Sequence, residues 1–119
     1  MPALTDPTRL AAFRDALTNW NVIGYIEFDL TAEAIRWIKR ELQGTTYKDV
    51  KRSMFEYVAA RGEIDEVKET RKEWLDHEFH YDLRLVINNK KVYIETRLNY
   101  REPVVSDESS ILVVNIHEC

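Results

Sequence analysis

Apolar and polar residues alternate over 79–87 and again over 92–101, with the polar run Asn88-Asn89-Lys90-Lys91 between them. This period of two predicts a pair of antiparallel strands joined by a tight turn. One parity is apolar: Phe79, Tyr81, Leu83, Leu85 and Ile87, then Val92, Ile94, Leu98 and Tyr100, interrupted only by Thr96. The other parity carries His80, Asp82 and Arg84, then Tyr93, Glu95, Arg97, Asn99 and Arg101. Such a sheet needs helices against its apolar face and leaves the other face for water or a ligand.

The preceding sequence supplies those helices. Asp6-Pro7 is a helix start, and Leu10, Phe13, Ala16 and Leu17 recur at helical spacing, so a helix is predicted over 7–18. Val22 to Leu30 reads as a short strand or an extended crossing. Thr31 caps a helix over 32–42 with Ala34, Ile35, Ile38 and Leu42 inward, and Gly44 ends it. Thr46 and Asp49 resemble a capping box that opens a third helix of about 47–60. Its inner stripe is Tyr47, Val50, Met54, Tyr57 and Val58, and Gly62 is the expected C-terminal cap. The charged stretch 63–74 reads as an edge strand. Ile111 to Glu118 is the last strand, with Leu112, Val114 and Ile116 expected in the core.

These elements predict a single α+β domain over 1–119, in two layers. Three helices pack on one face of a mainly antiparallel sheet of three to five strands. No apolar run approaches a membrane span, the N-terminus lacks a secretory pattern, and Cys119 is the only cysteine. A cytoplasmic protein is the expectation. The net charge of −4 argues against broad non-specific nucleic-acid binding but leaves room for a local basic pocket. Acidic residues concentrate over 63–78, where Glu66 and Glu69 are candidates for docking a basic partner.

A turn centred on Asn89-Lys90 would set Arg84 opposite Glu95 and Asp82 opposite Arg97, both charge-complementary pairs. An antiparallel last strand would add Asn115 and His117 to the same face. His80, Arg84, Tyr93, Glu95, Arg97 and His117 then form a candidate catalytic set for metal-free phosphodiester cleavage. Histidine or glutamate takes the ribose 2′-hydroxyl proton, arginines stabilise the phosphorane, and a second acid protonates the leaving oxygen. Arg101, with Lys48 and Arg52 of the third helix, are candidate RNA-backbone contacts. A solvated sheet face with routine cross-strand ion pairs is the competing reading. His77 and His80 would face opposite sides of a strand, which gives no metal chelate, and the isolated glycines offer no phosphate loop. No cofactor or metal is expected.

From Tyr47 onward the layout resembles the RelE/MqsR-type superfamily of small bacterial toxin-like domains. The matching pieces are the helix over 47–60, Gly62-Glu-Ile-Asp-Glu-Val67, the hairpin with Tyr81-Asp-Leu-Arg84 and Val92-Tyr-Ile-Glu95, and Ile111-Leu-Val-Val-Asn-Ile116. The resemblance covers residues 47–118. It implies a bacterial toxin-like domain that cleaves or binds RNA, an endoribonuclease in the first case. By resemblance His80, Arg84, Tyr93, Glu95, Arg97 and His117 take the RNA-facing role, and a cognate antitoxin-like protein is an expected partner. Where those toxins are usually basic, this chain is acidic. The alternative is a non-catalytic interaction module that docks a basic partner through the acidic 63–78 segment or an open sheet edge; a homodimer is a further expectation.

Overall fold

Asp6 starts the first helix by accepting a hydrogen bond from the Arg9 backbone N–H (2.9 Å), with Pro7 at the first helical position. In the computed structural model, which describes residues 2–74, 76–100 and 109–119, this helix, α1, spans Pro7–Thr18. The strand β1 (Ile26–Phe28) follows, then α2 (Ala32–Glu41) and α3 (Tyr47–Ala59). Thr31 caps α2, and Thr46 with Asp49 forms the reciprocal capping box of α3. The strands β2 (Ile64–Lys68), β3 (Phe79–Ile87), β4 (Lys90–Asn99) and β5 (Ser110–Glu118) complete the sheet, in spatial order β1-β5-β4-β3-β2.

Among the described residues the architecture is α+β with three helices and a five-stranded mixed sheet. Only β1 runs parallel to its neighbour, pairing Ile26 with Ile111 and Phe28 with Val113. Phe13, Leu17, Ile38, Leu42, Val50 and Met54 of the helical layer meet Leu83, Ile94, Ile111, Val113 and Ile116 of the sheet in one core. At the far edge, residues 2–4 lie against β2. Leu4 N–H donates to Ile64 O (2.7 Å) and Glu66 N–H to Pro2 O (2.9 Å).

Several expectations need correction. The hairpin keeps its predicted parity, with Leu85 and Ile94 buried, but its register is slipped by two residues. Arg84 pairs with Tyr93 and Asp82 with Glu95, not Arg84 with Glu95 and Asp82 with Arg97. Asn88 (φ 51°) and Asn89 (φ 65°) both occupy the left-handed region, so the turn is a two-residue loop from Ile87 to Lys90. That conformation matches the right-handed twist of the strands. Cross-strand charge pairs, worth only ~0.2–1 kcal/mol each, do not outweigh it.

Between β4 and β5 the register breaks at Glu95/Thr96, with Glu95 facing Asn115 and Thr96 facing Val113. Val114 is the extra residue of a bulge. Residues before it change face: Ile111 and Val113 enter the core, while Leu112, expected there, stands beside Arg97. At the end of α3 the left-handed residue is Arg61 (φ 67°), not Gly62. Arg61 N–H donates to Val58 O (3.0 Å) and Gly62 N–H to Tyr57 O (2.8 Å), a Schellman closure. Gly62 is needed for space, because a Cβ there would meet the Tyr57 ring at 2.5 Å. The 63–74 stretch is a strand only as far as Lys68, and a short 3₁₀ turn (Lys72–Trp74) follows. Arg101 lies outside the described residues, as does the connection 102–108.

Candidate RNA-facing sheet surface

The face opposite the helices divides into a sealed half and an open half. Because of the observed register, Asp65, Asp82, Glu95 and Asn115 form one row across β2, β3, β4 and β5. Three adjacent carboxylates would repel strongly if unpaired, and each has its own donors. Arg84 Nη1 reaches Asp65. His80 Nδ1 meets Asp82 Oδ1 at 2.8 Å, and the Tyr93 hydroxyl donates to Asp82 Oδ2. Arg97 Nη1 lies 2.9 Å from Glu95 Oε2, which Arg71 also reaches.

The segment after β2 folds across this row. Glu69 N–H donates to Glu78 O (2.9 Å), closing a loop that lays Trp74 over Arg97, with the guanidinium carbon 4.8 Å from the ring centroid. The Arg97 side chain is 0% exposed and the Glu69 side chain 1%, with Nη2 and Oε2 3.0 Å apart. That short distance is a charge contact, since Arg97 Nη2 and Nε make no hydrogen bond among the described residues. Burial pushes the Glu69 and Glu95 carboxyls up, but hydrogen bonds from Arg71, for Glu95 also from Arg97, and the charges of both arginines hold each below its usual range. Glu95 and Arg97, expected to face a substrate, are thus locked together under the loop. Glu69, expected as an exposed docking residue, is locked with them. Glu66 is half-withdrawn too: Arg9 of α1 grips it through Nε (2.9 Å) and Nη2 (3.3 Å).

The open half lies towards the hairpin. Arg84 sits over one face of the Tyr93 ring (5.7 Å to the centroid), and His117 stacks on the other at 4.6 Å and 20°. They come from β3 and β5 on either side of β4, so cation, phenol and imidazole form a ladder across three strands. Burial first, then the bond to Asp82, pushes the Tyr93 hydroxyl well above its usual range, so it remains a donor at neutral pH. His117 Nδ1 lies 2.8 Å from the Glu118 carbonyl oxygen. A carbonyl only accepts, so in the neutral ring Nδ1 carries the proton and Nε2 keeps its lone pair. Lys91 is exposed on the same parity of β4.

The ladder ends at a groove of about 400 Å³ between α2 and β5, lined by Glu33, Arg36, Trp37, Arg40, Asn115 and His117. Trp37 stands on α2 between Arg36 and Ile38. It packs partly against the core and also walls this groove. Arg36 and Arg40, one turn apart on α2, were missed. Their only signal was a pair of arginines flanking a tryptophan, which became meaningful once β1 proved too short to cover the end of β5.

Other predicted residues do not join this strip. His80 and His117 are four residues apart along the strands and two strands across, about 16 Å. They cannot serve one phosphate. Lys48 and Arg52 stand on α3 in the helical layer, and Arg52 is paired with Asp49 (2.9 Å). Among the described residues no group of His, Cys, Asp or Glu is arranged to hold a metal ion, and no helix is long and apolar enough to cross a membrane. The chain matches no protein-family model, no curated protein sequence and no solved structure.

Proposed function

We propose that the domain binds single-stranded RNA across the open half of its sheet, from Arg84 through Tyr93 and His117 into the α2 groove. The observation that carries this reading is the Arg84–Tyr93–His117 ladder running into a groove with two arginines and a tryptophan. Single strands are held by flat side chains that stack bases and by cations that track phosphates. Both faces of Tyr93 are occupied within the ladder, so a base stacks at its groove end, on His117 and beside Trp37. Arg36, Arg40 and Lys91 reach the backbone. In the tautomer fixed by the Nδ1 bond, Nε2 of His117 accepts from a ribose 2′-hydroxyl, which DNA lacks. The acidic total charge is no obstacle, because the carboxylates of this sheet face already have partners within the fold: Asp65 has Arg84, Asp82 has His80 and Tyr93, and Glu95 has Arg71 and Arg97.

The same imidazole favours a second reading, toxin-like cleavage. If Nε2 removes the 2′-hydroxyl proton instead of only accepting a bond, the 2′-oxygen attacks the adjacent phosphorus, the P–O5′ bond breaks to leave a 2′,3′-cyclic phosphate, and a solvent water protonates the departing 5′-oxygen. Glu95 and Arg97 take no part.

Fluorescence anisotropy with labelled ten-nucleotide RNA and DNA of one sequence tests the binding reading. RNA should bind more tightly than DNA, and His117→Ala should weaken it ~10-fold or more, as expected for losing one stacked base. Arg36→Ala with Arg40→Ala should flatten the salt dependence by ~0.7 of a log unit per lost phosphate contact. Lys48→Ala with Arg52→Ala should change nothing. Gel analysis of the same mixtures for cyclic-phosphate ends separates cleavage from binding. RNA unbound at low salt would refute the function, and equal binding of DNA would refute the role of His117 Nε2.

A further inference from the structure

On the opposite side of the molecule, α1 and α3 leave a groove between them. One cavity of about 340 Å³ is lined by Arg14, Leu17, Phe55, Val58, Ala59 and Arg61. A second, of about 190 Å³, adjoins it and shares Arg14, Val58 and Arg61 while adding Leu4, Leu10 and Ile64. The floor is hydrocarbon and aromatic ring, and its rim carries two arginines.

Those arginines are set apart by their charge environment. Arg9, Arg40, Arg52, Arg71, Arg84 and Arg97 each meet a carboxylate. Arg14, Arg36 and Arg61 meet none among the described residues, and of these Arg14 and Arg61 converge on the same two cavities. Glu63, the one acid lining the groove among the described residues, borders the smaller cavity and pairs with neither. Two like charges beside an apolar trough repel each other, and an anion placed between them removes that cost. Arg61 also holds a left-handed backbone (φ 67°) where glycine is favoured.

We propose that this groove binds a small amphipathic anion, a medium-chain carboxylate. The chain lies on Leu17, Phe55 and Val58, and the head group is clamped by Arg14 and Arg61. A volume of about 340 Å³ is in the range of small-molecule sites. Guanidinium favours a carboxylate head because its paired N–H groups match the two oxygens. The site is independent of the sheet face and stands whether or not RNA binds there.

Methyl-detected NMR titration with decanoate, decanol and decyltrimethylammonium, all below their micellar range, tests it on the full chain. Decanoate should shift the methyls of Leu17, Val58 and Ala59 and bind ~10-fold or more tightly than decanol, the margin of a charge-assisted bond. The cation should bind weakest. In the Arg14→Gln, Arg61→Gln double variant, decanoate should fall to the affinity of decanol while decanol itself is unchanged, which also shows that the groove remains folded. Equal binding of acid and alcohol to the natural chain would overturn the proposal. Shifts scattered over the surface would do the same. Concentration-dependent shifts of these methyls without ligand, with dimer seen by light scattering, would give the groove to a second copy instead.

Discussion

Replacing Arg97 by Met removes the one fully buried cation on the sheet and leaves two acids behind. Glu69 and Glu95 are 1% and 8% exposed at their side chains, and Arg97 lies 3.0 and 2.9 Å from them. Stripping one partner from a buried ion pair costs ~3–5 kcal/mol, because the remaining charge has lost its water and its counter-charge. Arg71, 42% exposed, still reaches both carboxylates, so the lower end, ~3 kcal/mol, is expected. For a domain of this size that lowers the thermal midpoint by roughly 10 °C. The pH dependence is the sharper readout. In the natural chain both acids are held below their unfolded value of ~4.3, so their stabilisation is complete above it and is lost as pH falls through the lower folded values. Without Arg97 the burial that raises them meets only Arg71, and their folded values move upward. The variant is then relieved by protonation, and its deficit should shrink between pH 7 and pH 5. Urea unfolding followed by tryptophan fluorescence at both pH values measures it. A variant within ~1 kcal/mol of the natural chain at pH 7, well short of the buried-pair cost, or with the same deficit at pH 5, would refute the sealed cluster.

Two smaller perturbations test local geometry. Asn89→Gly should stabilise the hairpin by roughly 0.5–1 kcal/mol in chemical denaturation, because glycine meets no Cβ penalty at φ 65°. A loss would place the turn elsewhere. At the end of α3, Arg61→Gly should raise stability slightly for the same reason, whereas Gly62→Ala should lower it by ~1–3 kcal/mol by driving Tyr57 aside. The opposite order of the two, by differential scanning calorimetry, would contradict the cap described here.

The helices were legible because their signals are local: Asp6-Pro7, Thr31 and Thr46 with Asp49 mark their starts within a residue. The parity of the hairpin was legible for the same reason, since burial of Leu83, Leu85 and Ile94 depends only on a period of two. Its register was not, because Asn88-Asn89 and Asn89-Lys90 are both plausible turn centres, and the charge pairing that favoured the second was outweighed. The fate of the polar face was hidden more deeply. Nothing in Glu69 or Trp74 announces that they cover Arg97; that follows only from the path of the chain after Lys68. The bulge at Val114 was equally silent, since Ile111-Leu-Val-Val is apolar at every position and permits either parity.

The contact of residues 2–4 with β2 bears on how copies of this protein can and cannot assemble. A fresh strand arriving at that margin finds the Ile64 carbonyl and the Glu66 amide already engaged by Leu4 and Pro2. It would next meet the outer side of the arm, where Pro2 has no N–H to offer. Growth by stacking one sheet onto the next is therefore blunted on this side. Displacing the arm means pulling Leu4, 5% exposed, out of the core as well. The piece that two molecules could trade there is the arm itself, each lending its Leu4 to the other's pocket, so any pairing across this margin would be a reciprocal exchange that closes at two.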